Sequence, residues 1–527
     1  MNLIEDLQRE IGARWGAAAT CRIAPRTGVL EAVAAPDALE ALCGWLFGER
    51  QLGFAGLVVE EGDQQWELRY AFYGSREPGW VQVILRRPLS QRNVPSIVRV
   101  VHAADWHERE AEDLYGLQFE GHPRLGDFVL HDDVWQEAVE PMRRSFPSDR
   151  LPVERHPRPD WRPRRVLQAT GAFAMPIGPV FAGLSESAHF LLETVGEDVV
   201  RAIPRLFYKY RGVEKLAEGQ PYIDVLLSAE RFAATTAFSH ALAYCHAVET
   251  IGSVPVPERA LVLRVFLAEL ERLRHHVVAI EAICDSTALA VAASQVGMLG
   301  EELLRIAGWL TGHRYLFGLV TPGGLTVDLD DQRCQDACRQ CGEVLRKLNR
   351  LEAMLQQSSS FLDRLEEVGF IASGDALACG LVGPIARASG VARDLRVVQP
   401  YGGYDRFAFQ APLEHEGDGY ARLRVLFAEA RQSLSLMEQV VSRLASGPIH
   451  APPRLEAGAA LGWVEAPRGA AFHWLRISED GTVQRYRIVP PSFINWLGFR
   501  LSVEHFAFQD FPIILSTLDL SVAENDR

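Results

Sequence analysis

Between Met142 and Arg165, five prolines (147, 152, 157, 159 and 163) and eight arginines fall within 24 residues, and no apolar period crosses them. So few amide donors and so strong a bias toward extended backbone stop a helix or a central strand from running through. The chain therefore reads as two folding units, 1–141 and 166–527, joined by a linker over 142–165. The basic run is local, which suits a docking surface better than a nucleic-acid site. With 527 residues, 48% of them hydrophobic and 23% charged, both units have enough material to bury a core.

Charge and termini narrow the function classes. A formal net charge of -14 is the wrong sign for a phosphate-binding surface, so no nucleic-acid partner is expected. The first residues, Met1 to Gln8, have no basic region followed by an apolar core, and a cytoplasmic location is expected. The most apolar stretch, 288–299, is interrupted by Ser294 and Gln295 and is too short to span a bilayer, so any membrane contact is expected to be peripheral. Eight scattered cysteines read as reduced thiols.

Periodicity assigns the two units to different classes. Alternation at 56–60, 66–70 and 81–85, with helical patterns near 36–47 and 97–114, predicts a small α/β unit at the N-terminus. After a strand region at 176–197, apolar i, i+3, i+4 patterns predict long helices over 223–252, 258–285, 287–315, 329–365 and 420–444. Short strands return at 462–477 and 482–489, before a mixed tail. The fold class is α+β: a small α/β unit followed by a large, mainly helical one with peripheral short sheets.

Generic motifs add little. Cys334, Cys338 and Cys341 have the spacing of an iron–sulfur clip, but they sit within a helical pattern that puts all three on one face, so a structural role is expected. His275 and His276 have no metal partner at i+4 and read as packed histidines. No dinucleotide fingerprint, phosphate loop or nucleophile elbow occurs.

Longer motifs are more specific. Residues 106–123, WHEREAEDLYGLQFEGHP, resemble the signature of the C subunit of bacterial respiratory complex I, with Glu108, Arg109, Glu110 and Asp113 within about one helical turn of each other and Gly116, His122 and Pro123 in the turn beyond. The resemblance implies docking and packing there, without chemistry. The second unit resembles the D subunit of complex I and, more closely, the large subunit of membrane-bound group 4 [NiFe] hydrogenases of the formate hydrogenlyase type. It does so through 178–183 (GPVFAG), 210–218 (YRGVEKLAE), 269–273 (ELERL), 383–390 (GPIARASG) and 464–469 (VEAPRG).

That resemblance also marks departures. The family's nickel–iron centre is held by two Cys-x-x-Cys pairs, and the matching positions here are Ala233, Thr236, Ser521 and Glu524. Soft thiolates are what such a centre needs, so no metal is expected. The family's quinone ligands, two loop histidines and a helix tyrosine, fall on Phe181, Ser185 and Ala234. The charged residues expected to line the old cleft are Glu214, Arg231, His240, Arg468, Asp519 and Glu524, with Arg231 pairing to Asp519 or Glu524.

The resemblance implies a peripheral-arm subunit of a complex I-like, energy-converting-hydrogenase-related assembly on the cytoplasmic side of the inner membrane, moving ions. The implied partners are a small iron–sulfur subunit, a ferredoxin-like iron–sulfur subunit, a complex I-type membrane anchor and antiporter-like membrane subunits. Iron–sulfur clusters would then reside in partners and no cofactor in this chain, with a quinone as the open choice of acceptor. Two alternatives are an oxidoreductase subunit with a rearranged acceptor site and a purely structural coupling scaffold.

Overall fold

The computed structural model describes residues 2–135, 139–146, 167, 170–181 and 186–527. Residues 147–165 of the expected linker, and Ser185, lie outside the described residues. The linker's first residues, 142–146, pack: Met142 is buried, Arg143 pairs with Glu61 and Glu140, and Lys215 Nζ donates to Arg143 O at 2.9 Å.

In the N-terminal part, strands Ala19–Ile23, Leu30–Ala34, Trp80–Pro88, Gln65–Tyr73 and Gly53–Glu61 form one five-stranded sheet in that spatial order. Only Leu30–Ala34 and Trp80–Pro88 run parallel. The alternating runs are strands as expected, but Gly53–Glu61 is buried on both faces over most of its length. One face carries the N-terminal unit's own core, and the other meets the second unit. Trp80 lies 4.7 Å from Trp463 between ring centroids, and Tyr73 lies 5.8 Å from Phe472. Gly56 lies at one close approach, since a Cβ there would sit 2.9 Å from the His107 ring and 3.0 Å from Val489.

The second part is built around the helix Glu258–Ser286, buried along most of its length and flanked by Gly419–Val441, Ala290–Thr311 and Ala237–Gly252. Asp331–Leu355 packs outside, with Cys334, Cys338 and Cys341 all buried on its inner face. Strands Gly458–Ala466, Gly469–Ile477 and Val483–Val489 form an antiparallel sheet on the Ala237 helix. A second sheet orders Asp198–Arg205, His189–Val195 and Ala172–Ile177. Helices Pro491–Val503, Phe511–Leu518 and Val522–Asn525 close the chain. No helix among the described residues is long and apolar enough to cross a membrane.

Four elements differ from their sequence expectation. The 97–114 pattern yields a helix only over Asp105–Tyr115, ended by Gly116 in the left-handed region. The 329–365 pattern stops at Leu355 and resumes as the short turn Ser359–Leu362. The 462–477 run is a hairpin whose turn carries Pro467 and Arg468. The 223–252 run breaks into Tyr222–Arg231 and Ala237–Gly252 around a 3-10 turn, Ala234–Thr236.

No proline or glycine causes that last break. The Glu271 carboxylate, from the neighbouring helix, accepts from Phe238 N (2.8 Å) and Ser239 N (3.0 Å), the free donors of a new helix start. On the other side, Arg211 donates to Phe232 O at 2.9 Å and Arg274 donates to Thr235 O. Charges from other parts of the chain satisfy the backbone groups that a continuous helix would have paired internally.

Candidate functional site

Three segments far apart in sequence converge at this helix break: the Ala234–Thr236 turn, the hairpin turn with Arg468, and the tail from Asp519. Gly383 lets the hairpin turn come close, because its φ is 71° and a Cβ there would lie 2.1 Å from Arg468 O. The guanidinium of Arg468 then reaches across the site. Its Nε donates to Asp519 O (2.7 Å), its Nη2 to Asp519 Oδ1 (3.2 Å), and its Nη1 to Glu524 Oε1 (3.2 Å) and Thr235 Oγ1 (3.3 Å).

Glu524 is fully buried and also accepts from Thr236 Oγ1 (3.4 Å) and Ser492 N (3.2 Å). Ser521 Oγ accepts from Glu524 N (3.2 Å) and donates to Glu186 (3.0 Å). The fold thus joins the 233–236 and 521–524 segments, and Thr236, Ser521 and Glu524 belong to one hydrogen-bonded set. Ala233 is buried beside them and offers no polar side-chain atom.

Two histidine systems back this surface. His275 Nε2 lies 2.6 Å from Asp519 Oδ2. Burial, outweighing the attraction of Asp519, lowers the imidazole to about 4, so it is neutral at pH 7. Burial works against the charge of Asp519 too, but Arg468 and His275 overcome it and hold the carboxyl at about 2. Behind Glu524, His240 Nδ1 lies 3.1 Å from His473 Nε2, and His473 Nδ1 lies 2.7 Å from Tyr486 OH. His240 Nε2 is buried without a partner among the described residues, and burial lowers this ring to about 4 as well.

Deeper still, His276 Nε2 meets Glu429 at 2.9 Å. Glu429 is bound by Arg387 (2.6 Å), which also holds Glu465 (2.8 Å) and faces Asp394 (3.5 Å). Arg396 links Asp394 (2.7 Å) to Glu269 (3.0 Å), and Arg272 lies 3.4 Å from Glu269. Three guanidiniums thus face four carboxylates, leaving one negative charge in excess. An excess negative charge in a dry interior favours proton uptake, and of the four carboxyls Glu465 is the one pushed upward. Burial first, then Asp394, pushes that carboxyl up to about 7, against the pull of Arg387.

The sign of the resulting pH dependence follows. A carboxyl that binds its proton more tightly when folded than when unfolded costs stability as pH climbs from its ordinary value of 4.5 to about 7. Urea midpoints measured from roughly pH 5 to pH 8 should therefore fall more steeply in the wild type than in Glu465→Gln. Equal slopes would remove Glu465 as the proton's seat.

A third network ties the two units together. Arg487 donates to Glu110 (2.6 Å) and Glu214 (3.3 Å), and Arg527 donates to Glu110 (2.8 Å) and Glu214 (2.9 Å). The other signature residues are structural. Glu108 accepts from Ile97 N (2.9 Å) and Ser96 Oγ (2.5 Å), and Asp113 accepts from Phe128, Val129 and Leu130 N. Arg109 lies over the Phe128 ring at 4.2 Å, and His122 contacts Asp105. Pro123 follows in the same turn.

The expected cleft therefore splits. His240, Arg468, Asp519 and Glu524 come together, whereas Glu214 belongs to the network between the units. Arg231 does not pair with Asp519 or Glu524. Its side chain is 56% exposed, its nearest carboxylate is Glu230 at 3.6 Å, and it lies over Phe317. Arg468 takes the role expected of Arg231, because the hairpin turn points it inward while the Tyr222 helix turns Arg231 out.

Phe181 packs against Phe190, and Ala234 is exposed on the turn. Sequence reasoning missed Arg274, Glu186, Glu271, His473 and Tyr486 at the site, and left His275 as mere packing. The adjacent pair His275–His276 was the one local signal, since neighbours on a buried helix face opposite networks.

Comparisons with known proteins agree with this architecture. The family model for the 49-kDa subunit of respiratory-chain NADH dehydrogenase matches residues 296–457 and 452–527, and that for its 30-kDa subunit matches 32–151. Formate hydrogenlyase subunit 5 of Escherichia coli (strain K12) is 30% identical over 495 residues, covering 91% of this chain and 85% of the relative. Hydrogenase-4 component G of the same organism is 30% identical over 459 residues, covering 86% and 79%. The fused C/D subunit of the NADH-quinone oxidoreductase of Acinetobacter baylyi (strain ATCC 33305 / BD413 / ADP1) is 28% identical over 488 residues, covering 83% and 81%. With sheet unit and helical unit joined through Glu110, Arg487, Glu214 and Arg527, the chain belongs to the family of fused 30-kDa and 49-kDa respiratory-chain subunits that includes formate hydrogenlyase subunit 5.

Proposed function

We propose that this chain is the peripheral, partner-binding subunit of a complex I-like membrane redox assembly and carries no nickel–iron centre of its own. The relatives' names supply the class of assembly: formate hydrogenlyase, hydrogenase-4 and NADH-quinone oxidoreductase. The carrying observation is the set Arg468–Glu524–Thr236–Ser521. Where the family resemblance puts four thiolates, the chain offers one carboxylate, two hydroxyls and a methyl group, and the carboxylate is already committed to a guanidinium. Nickel and iron bridged by soft sulfur do not fit that donor set. A quinone head group fares no better at the described positions, because Phe181 and Ala234 have no side-chain hydrogen-bonding atom.

In this reading the ion-pair network fills the former metal position and keeps the partner-facing surface in shape. Electron carriers belong to partners: a small iron–sulfur subunit, a ferredoxin-like one, a membrane anchor and antiporter-like subunits on the cytoplasmic face. The test is to isolate the chain, tagged at its N-terminus, from native membranes in mild detergent, identify what accompanies it, and measure nickel in the product. Iron–sulfur and antiporter-like proteins with no nickel above the buffer blank are expected. Stoichiometric nickel would overturn the ligand argument, and recovery of the chain alone would overturn the assembly.

A further inference from the structure

At the end of the helix Ala237–Gly252 remote from the Arg468 network, a crevice of about 330 Å³ opens between that helix, the helix Glu258–Ser286 and the turn at Tyr401 and Gly402. A cavity of about 150 Å³ suffices for a benzene ring, so this one takes a single ring with substituents. Leu242, Val254, Val256, Leu261 and Tyr401 supply apolar walls. One side is fixed by the contact between the units: the His246 ring lies 4.3 Å from that of Trp463, and Trp463 meets Trp80 at 4.7 Å.

Two polar features line the crevice. The first is balanced in charge: Arg264 donates to both oxygens of Glu249 (2.6 and 3.1 Å) and to Thr321 O and Gly324 O (2.9 Å each), and Glu249 also accepts from Gly323 N (2.7 Å). A pair so engaged leaves no net charge for an ionic ligand. The second is His246. Its Nδ1 lies 3.4 Å from both Trp463 O and Trp463 N, while Nε2 has no partner among the described residues and is not sealed off. Burial, outweighing the attraction of Glu249, keeps the ring below the usual histidine range and neutral at pH 7. Because Trp463 offers Nδ1 an acceptor and a donor, either neutral tautomer is held, and Nε2 presents an N–H or a lone pair accordingly. A hydroxyl, donor and acceptor on one atom, pairs with Nε2 in both cases.

We propose that this crevice binds a neutral phenol, one aromatic ring carrying a hydroxyl, with the hydroxyl on His246 Nε2 and the ring among Leu242, Val256, Leu261 and Tyr401. Ring-to-ring contact with Tyr401 adds to the apolar area covered. A carboxylate or ammonium would shed its water there and meet no unspent opposite charge. The site does not depend on the chain being in an assembly.

The test is calorimetric titration of the full chain with phenol, toluene and sodium benzoate in turn. Phenol should bind saturably and about three- to tenfold more tightly than toluene, the worth of one hydrogen bond, and benzoate should bind least. His246→Asn puts an amide where Nδ1 stood, which keeps the contact with Trp463, and removes Nε2. It should weaken phenol to the level of toluene and leave toluene unmoved, a split that a general loosening of the fold does not produce. Leu261→Phe fills the crevice and, where its melting curve shows it folded, should abolish binding of both neutral probes. No saturable binding of phenol, phenol no tighter than toluene, benzoate as tight as phenol, a folded Leu261→Phe that still binds, or a His246→Asn variant that weakens phenol and toluene alike would each overturn the proposal.

Discussion

Arg387→Met should destabilise the helical unit by about 3–5 kcal/mol, the range for breaking a buried ion pair from one side. Methionine nearly matches the volume of arginine, so the loss is electrostatic and not a cavity effect. Arg387 is fully buried and holds Glu429 at 2.6 Å and Glu465 at 2.8 Å. Without it, two guanidiniums would face four carboxylates, and each remaining anion would sit in a medium that cannot solvate it. Much of a typical domain's ~5–15 kcal/mol would be consumed. The urea midpoint at neutral pH measures this, and acidification should partly rescue the variant, because each carboxyl that takes up a proton no longer needs a cation. A midpoint within ~0.5 kcal/mol of wild type, the spread of ordinary surface changes, would mean that the network is not dry.

The second large effect is expected between the two units. Glu110, from the Asp105–Tyr115 helix, and Glu214, from the short helix Val213–Leu216, each touch both Arg487 and Arg527, in an alternating ring of two anions and two cations. All four are nearly or fully buried. Arg487→Met removes one cation and strands a negative charge beside His107, whose ring burial and both arginines already keep neutral. A loss of about 3–5 kcal/mol is expected, concentrated in the contact between units. It should appear as a two-step unfolding curve where the wild type shows one. Adding Glu110→Gln restores charge balance and should recover part of the loss, a coupling that a double-mutant cycle quantifies. Strict additivity of the two substitutions would mean that the residues do not form one ring.

The same ring explains why a motif that reads as docking is so dense in charge. Glu108 and Asp113 serve backbone amides of the N-terminal unit, while Glu110 looks outward to Arg487 and Arg527 of the same chain. Docking is thus intramolecular for that residue. The spacing put these side chains within one helical turn of each other, but which of them faced the core and which the other unit depended on the partner surface.

Local periodicity determined the strands at 56–60, 66–70 and 81–85, the helices beginning near 258 and 420, and the inward face of the three cysteines, since alternation and 3.6-residue repeats are written in adjacent residues. The family resemblance, which places the two ligand pairs at 233–236 and 521–524, also implied that these segments should meet. Tertiary structure alone decided the rest of the site. Glu271 breaks a helix that its own sequence would continue, Arg468 replaces Arg231 as the central cation, and Glu214 leaves the cleft for the contact between units. Each of these outcomes is a pairing of charges or backbone donors across tens to hundreds of residues, and its energy depends on distance and burial after packing, which no local pattern encodes.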